Sequence, residues 1–379
     1  MAFIPYSRQQ IDADDIRAVT RVLRSDWLTQ GPGVKVFEDA LCKYTGAKYA
    51  VAVANGTAAL HLACLAAGFK KGDEVIVPAN TFAATANAVL YTGTKPVFAD
   101  IDVSTGNIDV KSLESRITSK TRGIIPVDYS GIPCDWAKLA RLAAKKKLIL
   151  IDDASHALGA SYKVGQRWYK IGSCAHASMT TFSFHPLKSI TTGEGGAILT
   201  NRKDLFEALM MLRTHGINAD KKMVCLGFNY RITDIQCALG LSQLKKLDRF
   251  VAARLRVNQH YRKHFRGNPY LDLLQIPNGA ASSHHLFPIL LKNPSATPAV
   301  FEQLRTKGLG VQRHYLPVYM HPFYRGLGYK GSYAPKAEEF YRREISIPIF
   351  PGLSVSQQRF VIKTVRDVIK KGKKGTGPF

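Results

Sequence analysis

The chain has no cysteine pair that could build a zinc site or a disulfide framework. Cys42, Cys64, Cys134, Cys174, Cys225 and Cys237 are scattered over 379 residues with no C-x-x-C spacing, so free thiols in a reducing cytoplasm are the expected state. It also lacks long apolar runs. No stretch reaches the roughly 18 apolar residues of a membrane span, and Met1-Ala2-Phe3-Ile4-Pro5-Tyr6-Ser7-Arg8 contains no apolar core of an export signal. A soluble cytoplasmic protein is expected. No Walker A loop occurs, and Gly193-Glu194-Gly195-Gly196 does not have the G-x-G-x-x-G spacing, which removes the usual support for nucleotide-hydrolase and NAD readings. His260 and His264 share a helix face at i, i+4, but Tyr261-Arg262-Lys263 brings no carboxylate to them. That face reads as solvated, and no metal is expected.

Acidic residues are scarce, with 28 Asp and Glu against 53 Lys and Arg and a net charge of +25. An excess of this size raises the question of nucleic acid, because a basic surface attracts phosphate backbones. The charge is clustered at Lys145-Lys146-Lys147, at Lys245-Lys246, over 249–266 and in the tail Lys370-Lys371-Gly372-Lys373-Lys374. None of these interleaves aromatics or carries a binding motif, so they read as solvated helix ends and a frayed terminus. Anionic small-molecule substrates are the expected partners, rather than a specific nucleic acid.

Hydrophobic residues make up 46% of the chain, enough for one large α/β domain and a smaller companion. Short β-branched runs recur at 49–53, 74–78, 95–99, 123–127, 148–152, 178–184 and 196–200. Helical patterns at 57–68, 82–91 and 135–146 lie among the first five, which predicts a largely parallel sheet covered on both faces. The last two runs are joined by too short a loop for a crossover, so one antiparallel member is expected. One long helix is predicted from 234 to about 264. Beyond Gly267-Asn268-Pro269, strands at 286–291, 310–315 and 345–348 and helices at 298–307 and 356–370 predict a smaller α+β domain. The division expected is 1–250 and 251–379.

Lys188 ends Ser183-Phe184-His185-Pro186-Leu187-Lys188, straight after an apolar strand. A lysine at the mouth of a parallel sheet, partly desolvated, is a candidate Schiff-base nucleophile, although most lysines beside a turn are solvated surface groups. The strand Leu148-Ile149-Leu150-Ile151 ends in Asp152-Asp153, followed by Ala154-Ser155-His156. Ligands of open α/β sheets bind beyond the strands' carboxyl ends, so at least one of these acids should face the site. A carboxylate there can keep a pyridine nitrogen protonated, and His156 could donate to a phenolic oxygen. Asn55-Gly56-Thr57-Ala58 opens the first apolar helix, either as a phosphate site or as an ordinary cap. Phe82, after the second strand, could stack on a flat ring or belong to the core. Together these residues could converge on pyridoxal 5'-phosphate (PLP).

In order along the chain, they resemble the DegT-like family of PLP-dependent nucleotide-sugar aminotransferases. The resemblance covers essentially the whole sequence. It is carried by the lysine segment 182–197, by Asp152-Asp153-Ala154-Ser155-His156-Ala157-Leu158-Gly159, and by Gly227-Phe228-Asn229-Tyr230-Arg231-Ile232-Thr233-Asp234. Segments such as Ser25-Asp26-Trp27-Leu28-Thr29-Gln30-Gly31-Pro32 and Val127-Asp128-Tyr129-Ser130-Gly131 look like the subgroup of the pseudaminic acid pathway, which aminates C4 of a UDP-linked 2-acetamido-2,6-dideoxy-4-keto-hexose. The resemblance implies an aspartate-aminotransferase type I fold and a homodimer with active sites at the subunit interface. It assigns Lys188 to the cofactor carbonyl and to proton transfer, with L-glutamate as donor. Asp153 would pair with the pyridine nitrogen, His156 with the phenolic oxygen and Phe82 with the ring face. Thr57, Ala58 and Ser183 would hold the phosphate, joined by Asn229 of the other subunit. His185, His314 and Tyr315 are candidate substrate contacts, and Arg231 would serve the diphosphate or the interface.

Three alternatives stand beside this reading. The first is the same chemistry on another UDP- or dTDP-linked 4-keto or 3-keto sugar. The second, a related sugar dehydratase, has histidine where Lys188 stands. The third is a non-catalytic basic binding or regulatory protein, which the intact set Lys188, Asp153, Thr57 and Ser183 disfavours.

Overall fold

The computed structural model describes residues 3–371. In chain order the strands are β1 (Tyr49–Val53), β2 (Glu74–Pro78), β3 (Lys95–Ala99), β4 (Thr121–Ile124), β5 (Ile149–Asp153), β6 (Ser161–Val164), β7 (Arg167–Lys170), β8 (Met179–Ser183), β9 (Gly196–Thr200), β10 (Leu271–Leu273), β11 (Ala280–Ala281), β12 (Phe287–Leu291) and β13 (Glu344–Ile347). Seven form the main sheet, in the order β1-β9-β8-β5-β4-β2-β3. The pairs β2/β3, β2/β4, β4/β5 and β5/β8 are parallel, while β9 runs antiparallel to both β8 and β1. The reversal is forced by the connection 184–195, too short to cross the sheet and return.

Alternate residues of these strands enter two different cores. Val51, Val53, Val75, Val77 and Ile151 pack on one face; Ala50, Ala52, Ile76 and Leu150 pack on the other. A strand buried on both sides must be apolar at successive positions, which is why these segments read as continuous runs. The mostly parallel mixed sheet with helices on both faces is the one the resemblance implies. A third core joins Val257, Tyr261, Ile289, Ile345, Ile347 and Val361. Ile4 belongs to this core too, held by Ile4 N–H to Gly308 O (2.9 Å) and Gly310 N–H to Ile4 O (2.7 Å).

Several elements depart from expectation. The predicted helix from 234 is two helices, Asp234–Leu244 and Leu247–Phe265. At the break, the Lys246 amine bonds Asp12 and lies 2.8 Å from Asp15, and buried Asp15 also accepts from Ser242 Oγ (2.6 Å) and Gln243 Nε2 (2.8 Å). This polar contact with the helix Ala13–Leu23 is tertiary and leaves no mark on local periodicity. The segment 310–315 is not a strand, and only Gln312 bridges to Ser346. Side chains satisfy its backbone instead: His314 N–H donates to Glu344 Oε2 (2.6 Å), Tyr129 Oη donates to His314 O (2.8 Å), and Tyr315 N–H donates to Asn80 Oδ1 (3.0 Å). His260 is not simply solvated, because its Nδ1 lies 2.7 Å from Gln358 Oε1 of the helix Val355–Lys371. From Gly372 onward the Lys-rich tail lies outside the described residues. Among the described residues, no helix is long and apolar enough to cross a membrane.

Candidate active site

The carboxyl ends of β5 and β8 and the start of the helix Gly56–Ala66 meet at a cavity of about 670 Å³, lined by Lys188, Asp153, His156, Ser183, Thr57 and Phe82 among others. This is where an open α/β sheet places its ligand. The volume suits a cofactor with part of a substrate.

Strand alternation separates the two acids that end β5. Asp153 lines the cavity; its Oδ2 accepts from Thr85 Oγ1 (2.7 Å) and its Oδ1 from Ser155 Oγ (2.6 Å) and Ser155 N–H (3.2 Å). Asp152 turns away from it and accepts from Thr180 Oγ1 (3.3 Å), while its Oδ1 is buried without a hydrogen-bond partner. Burial, with the charges of Asp128 and Asp153, raises the Asp152 carboxyl well above the carboxylate range. Burial likewise pushes Asp128 up to about 7. Burial therefore favours the neutral form of Asp152, and Asp153 is the acid that faces the cavity.

Lys188 sits on the turn after β8, its N–H bonded to His185 O (2.9 Å), and Phe184 N–H closes the loop onto Gly195 O (2.8 Å). Desolvation lowers the amine to about 8, against the opposing pull of Asp153. Near neutrality a useful fraction of it is unprotonated and nucleophilic.

The helix Gly56–Ala66 begins at Asn55, whose Oδ1 accepts from Ala58 N–H (2.8 Å). Ala59 N–H bonds Asn55 O (3.1 Å). The cap thus takes the Ala58 N–H, leaving those of Gly56 and Thr57 at the positive end of the helix dipole. A Cβ on Gly56 would lie 2.8 Å from Ser183 Cβ, so only glycine lets the helix start touch the end of β8 and bring Thr57 beside Ser183.

His156 accepts from Ser130 N–H at Nδ1 (3.3 Å), which puts its proton on Nε2, 3.1 Å from Tyr315 Oη. Burial, then the nearby Lys188 and His314, hold it well below the usual histidine value, so the ring is neutral. Phe82 is 62% exposed, an open aromatic on the cavity wall with the Tyr315 ring tilted beside it at 6.1 Å, and an exposed ring there suits stacking on a flat ligand. His185, His314 and Tyr315 line the cavity. Asn229 and Arg231 do not, and Asn229 is exposed. Between them, Tyr230 does, with its hydroxyl 3.2 Å from His61 Nδ1.

Sequence reasoning missed Thr85, Ser155, Tyr6, Tyr230 and His285, all of which line the cavity. Ser155 carried a signal, because a hydroxyl two residues after an acid can bond back to it. Thr85, inside a helix, and His285, whose ring centroid lies 4.4 Å from that of His156, carried none.

The donor set matches PLP group by group. Lys188 suits an aldehyde and Asp153 a pyridinium N–H. The face of Phe82 suits the ring. Two hydroxyls and the free N–H groups of the helix start suit a phosphate.

Comparison with known proteins agrees. The DegT/DnrJ/EryC1/StrS aminotransferase family matches residues 9–366. A UDP-4-amino-4,6-dideoxy-N-acetyl-beta-L-altrosamine transaminase of Campylobacter jejuni is 43% identical, covering 98% of this chain and 99% of its own. Among solved structures, Helicobacter pylori PseC, an aminotransferase involved in the biosynthesis of pseudoaminic acid, superposes with a TM-score of 0.91 at 35% identity, over 97% of this chain and 100% of its own. The PLP form of a candidate sugar aminotransferase from Streptococcus pneumoniae gives 0.91 at 31% identity, over 98% and 99%.

Proposed function

Since the chain belongs to the DegT/DnrJ/EryC1/StrS aminotransferase family and is a PLP-dependent enzyme, we propose that it moves an amino group from L-glutamate to C4 of a UDP-linked 4-keto-6-deoxy-N-acetylhexosamine. The products are the 4-amino sugar and 2-oxoglutarate. The observation that carries this choice of sugar is the 43% identity, over nearly full length, to a transaminase named for that product. The test is incubation with glutamate, PLP and a panel of UDP- and dTDP-linked 4-keto and 3-keto sugars, with the product identified by NMR. Amination at C4 of the UDP-linked N-acetyl sugar is expected; exclusive turnover of a dTDP-linked or 3-keto sugar overturns the assignment.

PLP, when bound, supplies the electron sink that stabilises negative charge at the carbon losing its proton. The chain does the rest. Lys188 Nζ would hold the cofactor carbonyl and would move the proton at the donor's Cα. Asp153 keeps the pyridine nitrogen protonated, and Thr85 and Ser155 hold that carboxylate in place. Thr57 and Ser183 bind the phosphate with the free N–H groups of the helix start. His156 donates from Nε2 toward the phenolic oxygen, sharing that proton with Tyr315. His185, His314 and Tyr315 are placed to meet substrate, and Arg231 is assigned to the diphosphate or the interface.

The same reading makes the enzyme a cytoplasmic homodimer, with residues 1–250 as the cofactor domain and 251–379 as the smaller one. Support for the dimer comes from Met223, Val224 and Leu226, which are 73%, 56% and 81% exposed just before Asn229; such a patch is costly in a monomer. Asn229 would reach the phosphate of the partner's site. Mixed dimers test this. Lys188→Ala paired with an inactivating Asn229 variant has one site with both defects and one with neither. An equal mixture, unfolded and refolded, should regain roughly a quarter of wild-type activity, because about half the dimers are mixed and half of their sites are intact. If subunits demonstrably exchange and activity stays at the level of the separate mutants, Asn229 does not act in trans.

A further inference from the structure

Glu344 and Ser346 stand two apart on β13, so their side chains leave the strand on the same face. Both are fully buried. Ser346 Oγ lies 2.6 Å from Glu344 Oε1 and 2.8 Å from His314 Nδ1, and the His314 N–H donates to Glu344 Oε2 at 2.6 Å. Carboxyl, hydroxyl and imidazole thus form one chain, and His314 is the member that lines the cavity. Its Nδ1 is committed to Ser346, which leaves Nε2 as the ring nitrogen available to a ligand.

A hydroxyl in such a chain donates one way and accepts the other. An ionised Glu344 can only accept, so Ser346 must donate to it and accept from His314 Nδ1–H, and Nε2 then carries a lone pair. A protonated Glu344 donates to Ser346, which donates to Nδ1, and Nε2 then carries the proton. We propose that Glu344 is a positioning residue for His314, its proton setting, through Ser346, whether His314 offers the cavity an N–H or a lone pair. The exchange balances: Nε2 takes a proton from the cavity, Nδ1 passes its own to Ser346 Oγ, and Ser346 passes its own to Glu344.

The surroundings set the resting state. Burial raises Glu344 to about 8, opposed by the bonds from Ser346 and the His314 N–H and by the charge of Arg313. Tyr129 and Tyr315 also feel the Glu344 charge. Burial and Lys188 lower His314 to about 3, so its ring stays neutral. Tyr6 faces it with ring centroids 5.7 Å apart, and His156 and His285 lie on the same cavity wall. Below about 8 Glu344 is protonated and Nε2 bears the hydrogen, ready for a substrate oxygen that accepts. Above that value the donor becomes an acceptor. Only the identity of that substrate oxygen rests on the function proposed above.

The test is ¹⁵N NMR of the PLP-loaded, full-length protein labelled at histidine, with the His314 signals assigned by their loss in His314→Gln. In the wild type, the protonated and bare ring nitrogens of His314 should exchange places as pH passes about 8, with the ring neutral throughout. Glu344→Gln keeps the shape, since its amide carbonyl can accept from the His314 N–H and its NH₂ donates permanently to Ser346. This variant should hold Nε2–H at every pH, and Ser346→Ala should lose the pH dependence. A wild-type tautomer that stays put through that pH, or a Glu344→Gln tautomer that still swaps, overturns the proposal. Turnover enters neither readout, so a failure here is separate from a failure of the sugar panel.

Discussion

Lys188→Ala is expected to abolish turnover while PLP stays bound without a covalent link. A positioned proton-transfer group alone is worth roughly 10²–10⁴-fold, and this variant also removes the nucleophile. The fold should survive. Lys188 contributes a backbone bond to His185 O, which alanine keeps, and losing an amine that burial already pulls down to about 8 relieves desolvation. Retention of cofactor follows because Asp153, Phe82 and the helix start act independently of the lysine. Two measurements check this. Borohydride should fix PLP to Lys188 in the wild type and to nothing in the variant; fixation at any other wild-type residue removes the central assignment. In the cofactor-free wild type, the rate of covalent PLP uptake should rise with pH through about 8, since the neutral amine attacks and the protonated one does not.

Much of the site was legible because the residues that carry it lie at the ends of strands, where an apolar run stops and polar residues begin. Lys188 was visible for a further reason: a loop too short for a parallel crossover had to turn back on the sheet. The choice between Asp152 and Asp153 was not legible from the residues. Both acids end β5, and their faces follow only once the strand is placed between β4 and β8. The segment around His314 was misread as a strand for a related reason. Its apolar and aromatic pattern fits β structure, but Glu344, Tyr129 and Asn80 satisfy its backbone, and these partners are 30, 185 and 235 residues away along the chain. Glu344 itself, next to the run 345–348, had nothing to distinguish it from a solvated strand edge.

Asp153→Asn should slow turnover by orders of magnitude while changing stability little. The side chain can be replaced almost atom for atom. An amide oxygen in the Oδ1 position keeps both bonds from Ser155. An NH₂ in the Oδ2 position can donate to Thr85 Oγ1, whose own proton can turn to Thr81 Oγ1, 2.7 Å away. Since the hydrogen bonds survive in number, the folding cost should stay near the roughly 1 kcal/mol typical of one exchanged bond. The charge does not survive. If Asp153 serves the pyridine nitrogen as proposed, its loss would leave that nitrogen without a carboxylate to hold its proton and would weaken the ring as an electron sink. Asp152→Asn is the control: burial and its acidic neighbours push that carboxyl well above the carboxylate range, which favours the neutral form that an amide of the same shape imitates. Activity and the cofactor's absorbance spectrum should therefore be disturbed far less by this change than by Asp153→Asn. Single-turnover kinetics and thermal unfolding of both variants decide the matter. A damaging Asp152→Asn beside a mild Asp153→Asn would mean that the carboxylate serving the ring nitrogen is the one packed against Asp128.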